Sequence, residues 1–321
     1  MLTNLEFAMH RRFASTGPTR SAVEESITHF EAALARDPTF APAYVGLARA
    51  YGKLATTLVG AFPSSEISPK AMAAVERALR QDPKLPEAHA AMAAIRRDQW
   101  RWQEGEDGFR RALVLDPNSA DIHLRMAFAL LTVRSQSEEA IRLAWRARVL
   151  DPLSPGTAAR LGWNLYLARR YDEAIQECRK ALQLHGGDLL APLFFMGLAL
   201  AQTAEFDEAI DVLERAGAIS KQPPGILGSL AYTYGRAGRR PEALRMLDRL
   251  TRQRETAYVP PAAFVLAYVG LGEHDRAFTW LERAYEDHST LMILLRVSPE
   301  LDPLRDDPRF ADLLRRVGLA P

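Results

Sequence analysis

Few residues in this 321-residue chain stand in arrangements that could carry chemistry. Cys178 is the only cysteine, which excludes an intrachain disulfide and a cysteine-based zinc set. The seven histidines (His10, His29, His89, His123, His185, His274 and His288) are scattered, and none falls in an H-E-x-x-H pair. His274-Asp275 has the composition of an acid–base pair, and Gly52-Lys53 that of a phosphate-loop fragment. The loop fragment lacks the upstream glycine spacing that lets backbone amides cradle a phosphate. Arginines between Arg236 and Arg254 make a basic stretch, but Glu242 and Asp248 interrupt it, as on a solvated helix face. The 41 basic and 40 acidic residues nearly cancel, so no general attraction to nucleic acid or an anionic membrane is expected. We expect no enzyme activity, no cofactor and no metal.

The elements that must position any functional side chain follow from a period. Asp-Pro occurs at Asp37-Pro38, Asp82-Pro83, Asp116-Pro117 and Asp151-Pro152, with prolines 45, 34 and 35 residues apart. Other positions fall into the same register. Counting from Ala41, bulky residues Tyr44, Leu47 and Tyr51 surround small Ala48. Later units repeat this with Gly162, Ala174, Cys178 and Ala181, then Gly197, Ala209, Leu213 and Ala216, then Ala231, Ala243 and Leu247. Small residues let two antiparallel helices approach, bulky ones fill the space around them, and proline ends the second helix. In this register His89 and His123 take a packing position, and Cys178 sits inside a hairpin as a buried thiol. His274-Asp275 falls in the turn between two helices, where Asp172, Asp207, Pro241 and Asp275 are expected as N-cap or first helical residues.

This pattern is that of the tetratricopeptide repeat (TPR), with its 34-residue period and its small, bulky and proline positions. It implies an all-α, right-handed superhelical solenoid of antiparallel helix pairs with a C-terminal capping segment. We divide the chain into a degenerate N-terminal unit or cap (1–40), seven repeat units (41–286) and a capping segment (287–321). The partner helix of the first unit is expected within Asn4 to Ala14. The spacing of 45 places a long loop at 55–69, where Pro63 and Pro69 act as breakers and Leu58, Val59 and Phe62 either fold back over the hairpin or form a partner-contacting flap. In the tail, Asp307 or Pro308 starts a last helix with Phe310, Leu313, Leu314 and Val317 on one face, which covers the last apolar surface of the array.

The order of a degenerate unit, a loop-bearing unit, DQWRWQEGEDGFRRALVLDP, LGWNLYLARRYDEAIQECRKAL and the tail VSPELDPLRDDPRFADLLRRVGL resembles the C-terminal TPR region of bacterial signalling proteins. In that family the array accompanies a Ser/Thr kinase, adenylate cyclase or winged-helix output domain. The kinase motifs and a basic recognition helix are absent here, so those activities are not carried over. The resemblance implies a regulatory or sensor portion of such a protein as the alternative to a stand-alone scaffold.

Binding in such an array falls to the concave face, lined by first helices at repeat positions 2, 5, 6, 9, 12 and 13. Here these supply Arg49, Arg97, Arg125, Arg160, Trp163, Tyr166, Phe194, Phe195, Gln202, Tyr232 and Arg236. Arginine and aromatic residues together form interaction hot spots, and an acidic, apolar peptide or protein segment would complement them. Trp163, Phe194 and Phe195 could equally pack between units. Val45 and Arg49 stand where chaperone adaptors carry their carboxylate-clamping pair, so chaperone-tail binding is not expected. The N-terminus has no basic segment leading into an apolar core, and no run approaches the roughly 18 apolar residues of a membrane span, so a cytoplasmic protein is expected.

Overall fold

A computed structural model describes residues 19–319 except 57, 135 and 136. A first helix, α1 (Arg20–Arg36), packs on the first of seven hairpins among the described residues. These are α2 (Ala41–Leu54) with α3 (Ser64–Gln81), α4 (Pro86–Asp98) with α5 (Trp102–Leu115), and α6 (Ala120–Arg134) with α7 (Ser137–Leu150). They continue with α8 (Pro155–Leu167) and α9 (Tyr171–His185), α10 (Leu190–Gln202) and α11 (Phe206–Ser220), α12 (Pro224–Arg236) and α13 (Arg240–Thr256), and α14 (Pro261–Gly270) and α15 (His274–Glu286). The first helix of each hairpin touches the first helix of the next, so α2, α4, α6, α8, α10, α12 and α14 form an inner layer. The helix expected at Asn4 to Ala14 lies outside the described residues.

The Asp-Pro period has a local cause. Asp37, Asp82 and Asp116 end their helices in extended geometry, each backbone N–H still donating four residues back. Their carboxylates then accept the amides of Thr39, Lys84 and Asn118 at 2.9, 2.9 and 3.0 Å, which fixes the turn. One residue of the next helix reaches back to the proline carbonyl: Tyr44 to Pro38 at 3.2 Å, His89 to Pro83 at 2.9 Å and His123 to Pro117 at 2.9 Å. These two histidines are therefore turn-to-helix staples.

Within hairpins, the small residues sit at the contact. A β-carbon on Gly162 would lie 2.6 Å from Cys178 Sγ, and one on Gly197 would lie 2.6 Å from Leu213. Burial pushes the Cys178 thiol up to about 12, where it is neither nucleophile nor ligand. The turns inside hairpins use a left-handed residue at one slot, filled by Trp100, Arg169, Ala204, Gly238 and Gly272. Asp172, Asp207, Pro241 and Asp275 fall at the second helical position rather than at the N-cap or first position, because Arg170, Glu205, Arg239 and Glu273 occupy the caps.

The long insertion is shorter than its composition indicates. Helix α3 starts at Ser64 and accommodates Pro69 near its start, leaving 55–63 as the loop. Val59 and Ala61 pack with Ala50, Leu54 and Ile67 of their own hairpin. The loop also reaches the other end of the array, since a β-carbon on Gly60 would lie 3.0 Å from Pro260.

After α15 the chain forms two 3₁₀ turns (Thr290–Leu294 and Pro299–Leu304) and α16 (Pro308–Arg316). Asp307 caps α16 by accepting the Arg309 amide at 2.9 Å, and Phe310, Leu313 and Val317 are buried. This segment does more than cover α15. Its turns touch α4, α6 and α14 of the inner layer. Trp102 donates its indole N–H to Val317 O at 2.8 Å, and Arg296 donates to Val133 O at 2.6 Å. Trp100 stacks on Tyr285 and His288 with centroids 5.0 and 4.3 Å away. The tail thus crosses the interior of the array and joins its early and late units.

Candidate partner-binding site on the inner face

The eleven groove residues expected from the sequence divide into two sets. Tyr166, Phe194 and Tyr232 are buried at 0%, 7% and 1% relative exposure, beyond the reach of a partner. Burial first, and then the tail's Glu300, suppresses ionisation of both tyrosine hydroxyls, raising their pKa above the usual phenol range. Asp302 of the tail pairs with Arg169, Nη2 to Oδ1 being 2.7 Å. Trp163 stacks between Tyr166 and Phe195 with centroids 5.4 and 4.9 Å away. Gln202 and Arg236 both donate to the Tyr232 hydroxyl, at 3.1 and 2.7 Å. The aromatic half of the expected groove is thereby the seat of the chain's own C-terminal segment.

That seat is not readily vacated. Leu291, Met292, Leu295, Leu301, Leu304, Phe310 and Leu313 of the tail are all 4% exposed or less. Burying one such side chain contributes about 1.5–3 kcal/mol.

The other set converges. Arg49 on α2, Arg125 on α6 and Arg160 on α8 all donate to one carboxylate, Asp121. Arg49 Nη2 and Arg125 Nε lie 2.9 and 2.7 Å from Oδ2, and Arg160 takes Oδ1. The side chains are 17%, 23% and 37% exposed and Asp121 is 32% exposed, so the cluster is open to one side. Burial opposes ionisation of Asp121, but Arg125, Arg49 and Arg160 outweigh it and hold the carboxyl well below the usual range. Lys53, also on α2, is pushed down to about 7 by burial and by Arg125, Arg160 and Arg49. Arg97 does not bond Asp121: it pairs with Asp98 at 2.7 Å and lies over the Phe128 ring at 4.7 Å, close enough to act on Arg160 through its charge.

Asp121 and Lys53 join this cluster, although neither is among the residues expected from the sequence. Both occupy inner-face repeat positions, 2 and 13, so the repeat register points to them. Among the described residues no three histidine, cysteine, aspartate or glutamate side chains gather as a metal-binding set. No helix of these residues is long and apolar enough to cross a membrane.

No protein-family model matches the sequence, and no curated protein does. Solved structures do. A chain of human IFIT1, in a dimer with m7Gppp-AAAA, gives a TM-score of 0.54 at 16% identity, covering 86% of this chain and 71% of that one. A chain of the APC/C hetero-tetramer Cut9–Hcn1 gives 0.53 at 14% identity; the match covers 83% of this chain but only 47% of that one. A tetratricopeptide repeat protein from Parabacteroides merdae gives 0.52 at 14% identity, covering 79% and 94%. Likeness at these identities establishes architecture, and together with the registered repeat it gives one conclusion: this chain folds as an all-α tetratricopeptide-repeat solenoid.

Proposed function

We propose that this chain is a non-catalytic protein-interaction scaffold that holds an anionic segment of a partner protein on the open part of its inner face. The observation that carries this reading is the convergence of Arg49, Arg125 and Arg160, from three different helices, on the single carboxylate of Asp121. Three guanidinium groups fixed in place by one anion present positive charge without the entropy cost of ordering long side chains at binding. Two further observations support it. The inner face already accepts an apolar, acidic segment in the form of the chain's own Pro299–Leu304 turn. The Cut9–Hcn1 chain of similar fold belongs to an assembly of two different proteins.

The test is affinity capture with the Arg125→Glu/Arg160→Glu double variant beside the unsubstituted chain, with circular dichroism to verify that both are folded. Loss of a captured partner from the folded variant is the expected outcome. Equal capture by the two would place the binding surface elsewhere.

A further inference from the structure

The Asp121 cluster carries more positive charge than a single carboxylate can balance. Arg49, Arg125 and Arg160 contribute three positive charges against the one negative charge of Asp121, a surplus of two at a site open to one side. Among the described residues no second carboxylate bonds these three arginines. Glu87 acts on Arg49 only at longer range. Arg97 has its own partner in Asp98. Arg49 Nε is buried with no hydrogen-bond acceptor, although it belongs to a group whose every N–H is a strong donor. Burial lowers the ionisation of both Arg49 and Arg160, so the fold holds these cations together against a real cost.

We propose that the cluster is a seat for a doubly charged oxyanion, the phosphoryl group of a phosphorylated partner segment. This rests on the reading of the open inner face as the segment-binding surface. A phosphate monoester carries about −1.5 to −2 charges at neutral pH and several acceptor oxygens. It neutralises a surplus of two and offers acceptors to more than one planar guanidinium fork. A glutamate or aspartate of the partner neutralises only one charge and leaves the other exposed to like-charge repulsion. A phosphodiester likewise brings one charge per group, so a nucleic-acid backbone fits the site less well than a monoester does.

The experiment is calorimetric titration of the full chain at neutral pH and constant ionic strength with four probes. These are N-acetyl-phosphoserine N-methylamide, its glutamate counterpart, inorganic phosphate and a single-stranded oligoadenylate. The phosphoserine amide is expected to bind at least about tenfold more tightly than each of the others. Arg49→Gln and, separately, Arg160→Gln are expected to abolish that preference, while Arg179→Gln on the outer helix α9 leaves it intact. Two arginine variants are used so that one which fails to fold does not decide the matter. Equal or tighter binding of the glutamate amide or the oligoadenylate would overturn the proposal, as would tighter binding of free phosphate. If none of the probes binds while partner capture still depends on Arg125 and Arg160, the dianion assignment alone falls. If the phosphoserine amide binds as expected but capture does not depend on them, the scaffold reading falls instead.

Discussion

The guanidinium of Arg49 lies 2.9 Å from the carboxylate of Asp121, 72 residues further along the chain and two hairpins away. The contact joins α2 to α6 across α4, and Arg125 and Arg160 complete it from α6 and α8. One acidic side chain thus ties together three first helices of the inner face, α2, α6 and α8.

Replacement of Asp121 by Asn should therefore leave three guanidiniums facing one another. Removing one partner of a buried ion pair costs several kcal/mol, and partial exposure here reduces that to about 1–3 kcal/mol. Because the folded-state carboxyl is depressed, its contribution is full above the ordinary unfolded value and is lost only as pH falls through the lowered folded value. Urea denaturation should show a gap between the two proteins at neutral pH that closes in strong acid. A gap that persists unchanged in acid would mean that charge is not its origin.

Lys53 acts in the opposite sense. Its folded value of about 7 lies below that of an unfolded lysine, so between these values the unfolded chain binds more protons. The contribution of this group to stability rises as pH increases from about 7 toward about 10. Lys53→Met should flatten that rise and stabilise the protein near pH 6, read as a higher melting temperature. An unaltered pH slope would show that Lys53 is not under pressure from its neighbours.

Glycine marks the tightest helix contact. A β-carbon on Gly270 would lie 2.4 Å from Tyr232 Cα, where backbone cannot yield, so Gly270→Ala should cost about 1–3 kcal/mol in urea denaturation. Gly52 on α2 has nothing within 4 Å of such an atom, and Gly52→Ala should be neutral or stabilise by up to about 1 kcal/mol through helix propensity. Reversal of this order would contradict the α12–α14 packing.

The tail is part of the core, which a single truncation examines. Leu301 is fully buried, so Leu301→Ala should cost about 2–5 kcal/mol, as a core leucine does. A cost near zero in thermal or urea unfolding would show the segment to be a loosely held flap.

Much of the architecture was legible because repeat packing imposes residue size at fixed spacing. Asp37, Asp82 and Asp116 marked helix ends because the following turn needs a carboxylate to accept the amide two residues on, and Asp307 marked the start of the last helix because a first turn needs a side-chain acceptor. The division of the inner face was not legible. Tyr166 and Tyr232 have the same residue type whether they face a partner or the chain's own Glu300, more than sixty residues away in sequence. Pro69 suggested a longer loop because a proline early in a helix looks like a breaker until the helix start is known. Trp100, left-handed and stacked on Tyr285 and His288, takes a slot where glycine or alanine is expected, and only the returning tail explains it.

The most direct test of the scaffold reading is hydrogen–deuterium exchange of the chain with and without its purified captured partner. We expect new protection in α2, α6 and α8 around Asp121, with the segment Pro299–Leu304 equally protected in both states. Protection confined to the outer helices, or faster exchange in that segment on binding, would contradict the account.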